Sequence, residues 1–176
     1  MIEIVIHGRG SQGAVKAAQL LALAASLEGK YVQALPSFGI EREGAPVEAY
    51  CRVSDKPILL RSHVEKADYA IIFDSSLLKI KKIDSKKIIV NSITGQIYKT
   101  GKQEICSFDA TNLALEIFGR PFVNTAMLAV FSCFSDVIKK ESLIQACKEF
   151  FPEELYKKNL KLIEEVYKKF GKWKKK

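Results

Sequence analysis

The chain has 176 residues with a formal net charge of +8, and 48% of its residues are hydrophobic. This length suits one domain, spanning residues 1–176, that buries its own core, and no apolar run approaches the roughly 18 residues of a membrane-spanning helix. Nine lysines and two glutamates fall between residues 157 and 176, so most of the net charge belongs to a basic C-terminal end with a tail at 171–176, and a near-neutral body argues against nucleic-acid binding.

The first 27 residues predict a strand, a glycine turn and a helix. An apolar run at 2–6 leads into Gly8, Gly10 and Gly13, which fit G-x-G-x-x-G, and an Ala- and Leu-rich segment follows at 15–27. This order opens doubly wound α/β domains. Such a turn aims free backbone N–H groups and the positive end of a helix at one point, which suits an anion.

The rest of the chain alternates strands with helices. This pattern predicts an α/β fold, Rossmann-like, with a doubly wound, mostly parallel sheet, helices on both faces and a helical C-terminal part. Further strands are predicted at 31–35, 47–53, 58–60, 68–74, 87–91, 96–100 and 103–108. Helices are predicted at 62–67, 111–118, 124–134, 142–151 and 153–170. The alternation of apolar and polar residues at 47–53 predicts one solvent-exposed face for that strand.

Catalytic and metal-binding motifs are missing from the sequence. The chain has four cysteines, all with apolar neighbours: Cys51, Cys106, Cys133 and Cys147. Because no C-x-x-C pair occurs, we expect no zinc ribbon or iron–sulfur cluster held by this chain alone. His7 and His63 are the two histidines, and neither a G-x-S-x-G nor an H-E-x-x-H motif is present. We therefore predict no catalytic residue, no metal site and no cofactor bound by the isolated chain.

The glycine turn has three interpretations, which the residues leave open. A nicotinamide dinucleotide needs an acidic residue near the end of the second strand, and residues 34–36 read Ala-Leu-Pro. The glycines either serve close helix–strand packing or hold another phosphate-bearing ligand, with Arg9 and Arg42 as anion-binding side chains. The candidate ligand-binding residues are those of the turn and one arginine of the long loop at 36–46: Gly8, Arg9, Gly10, Ser11, Gln12, Gly13 and Arg42.

Two long motifs carry a resemblance to a known family. Residues 8–14, Gly-Arg-Gly-Ser-Gln-Gly-Ala, resemble the G-R-G-G-Q-G-A opening of the gamma subunit of pyruvate:ferredoxin oxidoreductases. Residues 36–53 resemble that family's second motif, F-G-x-E-R-x-G-A-P-V. Two departures are that Ser11 stands where the family usually has glycine, and Glu43 where arginine or threonine is common.

The resemblance implies one subunit of an assembly that oxidatively decarboxylates pyruvate to the acyl-CoA and passes electrons to ferredoxin. In the family, thiamine diphosphate is held by the alpha and beta subunits, and iron–sulfur clusters by the beta and delta subunits. The gamma subunit would be structural or contribute to the coenzyme A site. Branched-chain 2-oxoacid and 2-oxoglutarate enzymes are the related alternatives, and a stand-alone nucleotide-binding module is the alternative of another class. We expect a cytoplasmic protein with no membrane partner.

Overall fold

The computed structural model describes residues 1–36, 44–62, 64–80 and 83–173, with the backbone alone for 171–173. Within these ranges the strands are β1 (Ile2–Arg9), β2 (Tyr31–Pro36), β3 (Pro46–Ser54), β4 (Ala67–Ile72), β5 (Ser85–Asn91), β6 (Ile97–Thr100) and β7 (Gln103–Phe108). The helices are α1 (Ala14–Ser26), α2 (Ala110–Phe118), α3 (Asn124–Phe134), α4 (Lys140–Phe150) and α5 (Glu153–Trp173), with a 3₁₀ helix at Ser75–Lys79.

The seven strands form one sheet in the order β2-β3-β1-β4-β5-β7-β6. β1, β4, β5 and β7 are parallel neighbours, whereas β3 is antiparallel to both β1 and β2, and β6 is antiparallel to β7. The connection from β2 to β3 is too short for a crossover helix, so these strands pair as antiparallel neighbours. The predictions of a mostly parallel α/β sheet and a helical C-terminal part are confirmed.

The two faces of the sheet differ in their cover. The larger apolar core contains buried residues from all five α-helices and from one face of the sheet. The smaller core, on the other face, contains strand residues together with Leu77 from the 3₁₀ helix and Ile83, which precedes β5. All five α-helices therefore contribute to the core of one face, and among the described residues the helix on the second face is this short 3₁₀ helix.

Helices α1 and α3 fit the larger core because of their small and apolar side chains. Six alanines of α1 are buried, and this smooth surface packs on β1, β2 and β3. In α3, every residue from Thr125 to Ser132 is buried, as the run of apolar residues predicted. No helix within the described ranges is long and apolar enough to cross a membrane.

Several local predictions were wrong. Residues 58–60 form no strand, and β4 begins at Ala67, where the predicted short helix was to end. The face of β3 that was predicted to be solvent-exposed contains Arg52, which is 2% exposed. Helix α5 continues to Trp173, three residues into the predicted basic tail, and residues 174–176 lie outside the described ranges.

Candidate functional site

A cavity of about 780 Å³ lies where β1 ends and α1 begins. Its lining residues are Arg9, Gly10, Ser11, Gln12, Gly13, Ala14, Val15, Lys16, Gln19, Val47, Phe122 and Asn124. Five of the seven predicted ligand-binding residues therefore line one cavity. Gly8 packs just behind it, because a Cβ at Gly8 would lie 3.4 Å from Gln12 Oε1 and from the Phe73 ring. Arg42 lies outside the described residues.

The N-terminus of α1 opens into this cavity without a compensating side chain. Gly13 is the N-cap, with φ of 79°, and it has no side chain that could accept a hydrogen bond from the first turn. The first turn also contains no acidic residue. Since the first N–H groups of a helix have no intrahelical acceptor, they remain available to an anion in the cavity.

The start of α3 lies against the same turn. Asn124 is its first residue, and a Cβ added to Gly13 would lie 3.0 Å from Asn124 Nδ2. A glycine is therefore required at position 13 for two reasons: the backbone is left-handed, and Asn124 approaches closely. Lys16, which is exposed on α1, adds a positive charge at the cavity wall.

Ser11 has a strained backbone at the mouth of the cavity. Its φ of 78° makes it the one non-glycine residue with a positive φ in the described part of the chain. The left-handed conformation costs a residue with a side chain about 1–2 kcal/mol. Strain of this kind tends to be kept at binding sites, and it occurs at the position where the sequence departs from the glycine of the family motif.

The Arg9 guanidinium is engaged by protein groups. Its Nε donates to Asp74 Oδ2 at 2.7 Å, its Nη2 to Ser76 Oγ at 2.7 Å and its Nη1 to Gly44 O at 3.0 Å. Partial burial alone would raise the pKa of Asp74, but hydrogen bonds from Ser76 and Arg9 hold that pKa below its ordinary value. The sequence pointed to Arg9 as an anion ligand, and the structure gives its side chain three other partners.

Seven lining residues were not predicted from the sequence. They come from three separate parts of the chain: Ala14, Val15, Lys16, Gln19, Val47, Phe122 and Asn124. Phe122 is 46% exposed, and its ring packs edge-on against Phe118 with centroids 5.9 Å apart. No local sequence pattern links Val47, Phe122 and Asn124 to the turn, because only the tertiary fold brings β3 and the start of α3 to the start of α1.

The other candidate groups are held in structural contacts. His7 is 6% exposed and its Nδ1 lies 3.3 Å from Glu48 Oε1, while His63 lies outside the described residues. Burial raises the pKa of the Cys51 thiol to about 12 and, as the largest cause, that of the Cys106 thiol to about 12 as well. Among the residues that the structure describes, no three His, Cys, Asp or Glu side chains are grouped to hold a metal ion.

Comparison with known proteins agrees with the motifs. Residues 3–169 match the model of the pyruvate ferredoxin/flavodoxin oxidoreductase family. The common gamma subunit of the pyruvate/ketoisovalerate oxidoreductases of Thermococcus litoralis is 43% identical, with 96% of this chain and 97% of that protein covered. The pyruvate synthase subunit PorC of Methanocaldococcus jannaschii is 42% identical, with 97% of this chain and 100% of that protein covered.

A solved structure supports the same assignment. The crystal structure of the pyruvate oxidoreductase subunit PORC from Thermotoga maritima superposes with a TM-score of 0.78 at 31% identity, covering 95% of both chains. The resemblance to the gamma subunits, first seen in two motifs, therefore extends over nearly the whole length. This chain belongs to the pyruvate ferredoxin/flavodoxin oxidoreductase family.

Proposed function

We propose that this chain is the gamma subunit of a pyruvate:ferredoxin oxidoreductase and that its glycine-turn cavity binds the phosphates of coenzyme A. The assembled enzyme would decarboxylate pyruvate oxidatively, form the acyl-CoA and pass electrons to ferredoxin. Alpha, beta and delta subunits would complete it. The alpha and beta subunits would hold thiamine diphosphate, and the beta and delta subunits would hold iron–sulfur clusters. The isolated chain would have no activity, and a cytoplasmic location stays a prediction.

The observation that carries the coenzyme A proposal is the uncompensated N-terminus of α1. It faces the cavity across Ser11, Gln12 and Gly13, with no acidic residue in its first turn. A phosphate in this place accepts hydrogen bonds from free backbone N–H groups and is favoured by the helix dipole. Lys16 adds a charge of the required sign.

The apolar part of the lining suits the rest of a nucleotide. Phe122 lines the cavity and is 46% exposed, and Val47 provides a second apolar side chain. A volume of about 780 Å³ lies within the range of roughly 300–1,000 Å³ that is usual for ligand pockets. An adenine ring against Phe122 and a diphosphate at the turn would use both the apolar lining and the helix N-terminus.

The topology argues against a nicotinamide dinucleotide. In a dinucleotide-binding domain the second strand neighbours the first and ends in the acidic residue that holds the ribose. Here the antiparallel strand β3 lies between β1 and β2, and β2 ends in Ala34, Leu35 and Pro36. Neither the residue nor its position is available for that contact.

A matched pair of glycine substitutions tests the proposal in the assembled enzyme. Gly13→Ala adds a Cβ at 3.0 Å from Asn124 Nδ2, whereas Gly29→Ala meets nothing within 4 Å although its φ of 76° is similarly left-handed. We expect Gly13→Ala to raise the apparent KM for coenzyme A about tenfold, equivalent to about 1.4 kcal/mol of binding free energy. The KM for pyruvate should stay unchanged, as should both constants in Gly29→Ala.

Equal KM values for coenzyme A in both variants and the wild type would overturn the assignment of this cavity. The substrate is tested separately, by assaying the complex purified with this chain on pyruvate, 2-oxoisovalerate and 2-oxoglutarate. We expect the highest kcat/KM with pyruvate. A chain that joins no larger assembly when it is produced with its companion subunits would overturn the gamma-subunit proposal itself.

A further inference from the structure

We infer that Arg9 is a positioning residue, which fixes the glycine turn through Asp74, and that its guanidinium does not contact the ligand. The inference rests on the proposed function only in naming coenzyme A as the ligand of the turn. It assigns to Asp74 and Ser76, which lie outside the cavity lining, a part in ligand binding that acts through Arg9.

All three nitrogens of the guanidinium donate to protein groups, which lie on two segments of the chain. Nε contacts Asp74 just after β4, Nη2 contacts Ser76 in the 3₁₀ helix, and Nη1 contacts Gly44 just before β3. The two ionic side chains are similarly shielded, with 29% of Arg9 and 27% of Asp74 exposed. Because the carboxylate neutralises the guanidinium at 2.7 Å, little of its charge is left for an anion in the cavity.

Asp74 is itself held in place, so it can act as a fixed anchor. Its Oδ1 accepts a hydrogen bond from Ser76 N at 2.9 Å and thereby caps the 3₁₀ helix, while Oδ2 receives Arg9. Both carboxylate oxygens therefore have partners in a defined geometry. A side chain fixed in this way can hold Arg9 in one rotamer.

The backbone of Arg9 is tied into the turn from the other side. Arg9 N donates to Gln12 Oε1 at 2.7 Å, and Gln12 N donates to Arg9 O at 3.0 Å. The next residue, Gly10, donates its N–H to Ala45 O at 2.8 Å. Arg9 thus joins the inner hydrogen bonds of the turn to the outer contacts, and these together hold the strained Ser11 between them.

Substitution of Asp74 separates the positioning role from a ligand role. If Arg9 bound the phosphate directly, Asp74→Asn would release its charge, and coenzyme A would bind as tightly as before or more tightly. If Arg9 positions the turn, Asp74→Asn and Arg9→Ala should each raise the apparent KM for coenzyme A about fivefold in the assembled oxidoreductase. The double variant should then be no worse than Arg9→Ala, since both changes break one connection.

Asp109→Asn is the matched control. Asp109 also caps a helix, through Asn112 N at 3.0 Å, and it follows β7, which is separated from β4 in the sheet by β5. Its substitution should leave the KM for coenzyme A unchanged. Ser76→Ala, which removes one of the three guanidinium contacts and no charge, should raise the KM about twofold and serves if Asp74→Asn does not assemble.

Amide hydrogen exchange across residues 8–13, measured without coenzyme A, tests the positioning role independently of the ligand. We expect faster exchange at Gly10 and Gln12 in Asp74→Asn than in the wild type or Asp109→Asn. If exchange rises and Gly13→Ala leaves the KM unchanged, the positioning role stands and only the ligand was misassigned. Unchanged exchange in Asp74→Asn, or a KM raised by Arg9→Ala but not by Asp74→Asn, would overturn the inference.

Discussion

The two faces of the sheet are stabilised by different means. On the helical face, alanines of α1 and the buried residues of α3 pack against β-strand side chains in a continuous apolar core. On the second face, Arg52 is 2% exposed and donates to Glu3 Oε1 at 2.8 Å and to Gln33 Oε1 at 2.9 Å. The first face depends on packing, whereas the second combines a smaller apolar core with paired charged and polar groups.

The largest effect is expected in the apolar core. Phe131 is completely buried and its ring meets Tyr69 edge-on, with centroids 5.3 Å apart. Phe131→Ala removes this packing and leaves a cavity, so we expect a loss of about 3–5 kcal/mol in the free energy of unfolding. Urea unfolding of the purified chain measures it, and a loss below about 1 kcal/mol would show that α3 does not anchor the core.

Arg52 tests the second face. Arg52→Ala leaves Glu3 and Gln33 without their partner, and removal of one member of a buried pair costs about 3 kcal/mol. Arg52→Met should cost less because it keeps the packing volume, and adding Glu3→Gln should recover part of the loss. A change of less than about 0.5 kcal/mol in the free energy of unfolding for Arg52→Ala is typical of an exposed site. That result would support the solvent-exposed face that the sequence predicted.

Ser11 tests the glycine turn between β1 and α1. At φ of 78°, a β-branched side chain is poorly tolerated. We therefore expect Ser11→Val to lower the free energy of unfolding by about 1–3 kcal/mol. Ser11→Gly should leave it within about 1 kcal/mol of the wild type, since relief of strain offsets the greater freedom of the unfolded chain. Equal stability of the valine and glycine variants in thermal unfolding would remove the claim of strain.

The smallest effect is expected in the dependence of stability on pH. Asp74 contacts Arg9 and has a folded-state pKa below its ordinary value of 3.8, so its contribution is present above that pH and disappears as pH falls through the folded value. For a partly exposed pair we expect this contribution to be on the order of 1 kcal/mol or less. The stability difference between wild type and Asp74→Asn should therefore be largest at neutral pH and vanish in strong acid. A difference independent of pH would exclude the ion pair as its cause.

The helical face could be read from the sequence because its signals are local. The apolar run of α3 and the strand at Gln103–Phe108 were predicted with the bounds that the structure has. The insertion of β3 between β1 and β2 is a non-local pairing, and a buried arginine at an alternating position looks the same as an exposed one until its partners are known. The arrangement of the second face could therefore be determined only from the structure.

The candidate site divides in the same way. The presence of a glycine turn follows from the spacing of its residues, whereas the distant contacts that fix it do not. Asn124 and Phe122 lie more than a hundred residues from the turn in sequence, and the partner of Arg9 is separated from it by 65 residues. Those contacts complete the cavity around the glycine motif, and no sequence pattern predicts them.

Amide hydrogen exchange in the assembled oxidoreductase, with and without coenzyme A, tests the central claim most directly. Bound coenzyme A should slow exchange at least tenfold in the backbone N–H groups of residues 10–16. Residues 26–30, at the far end of α1, should exchange at the same rate in both samples. Unchanged exchange at 10–16 under saturating coenzyme A, together with protection in another subunit, would contradict the account.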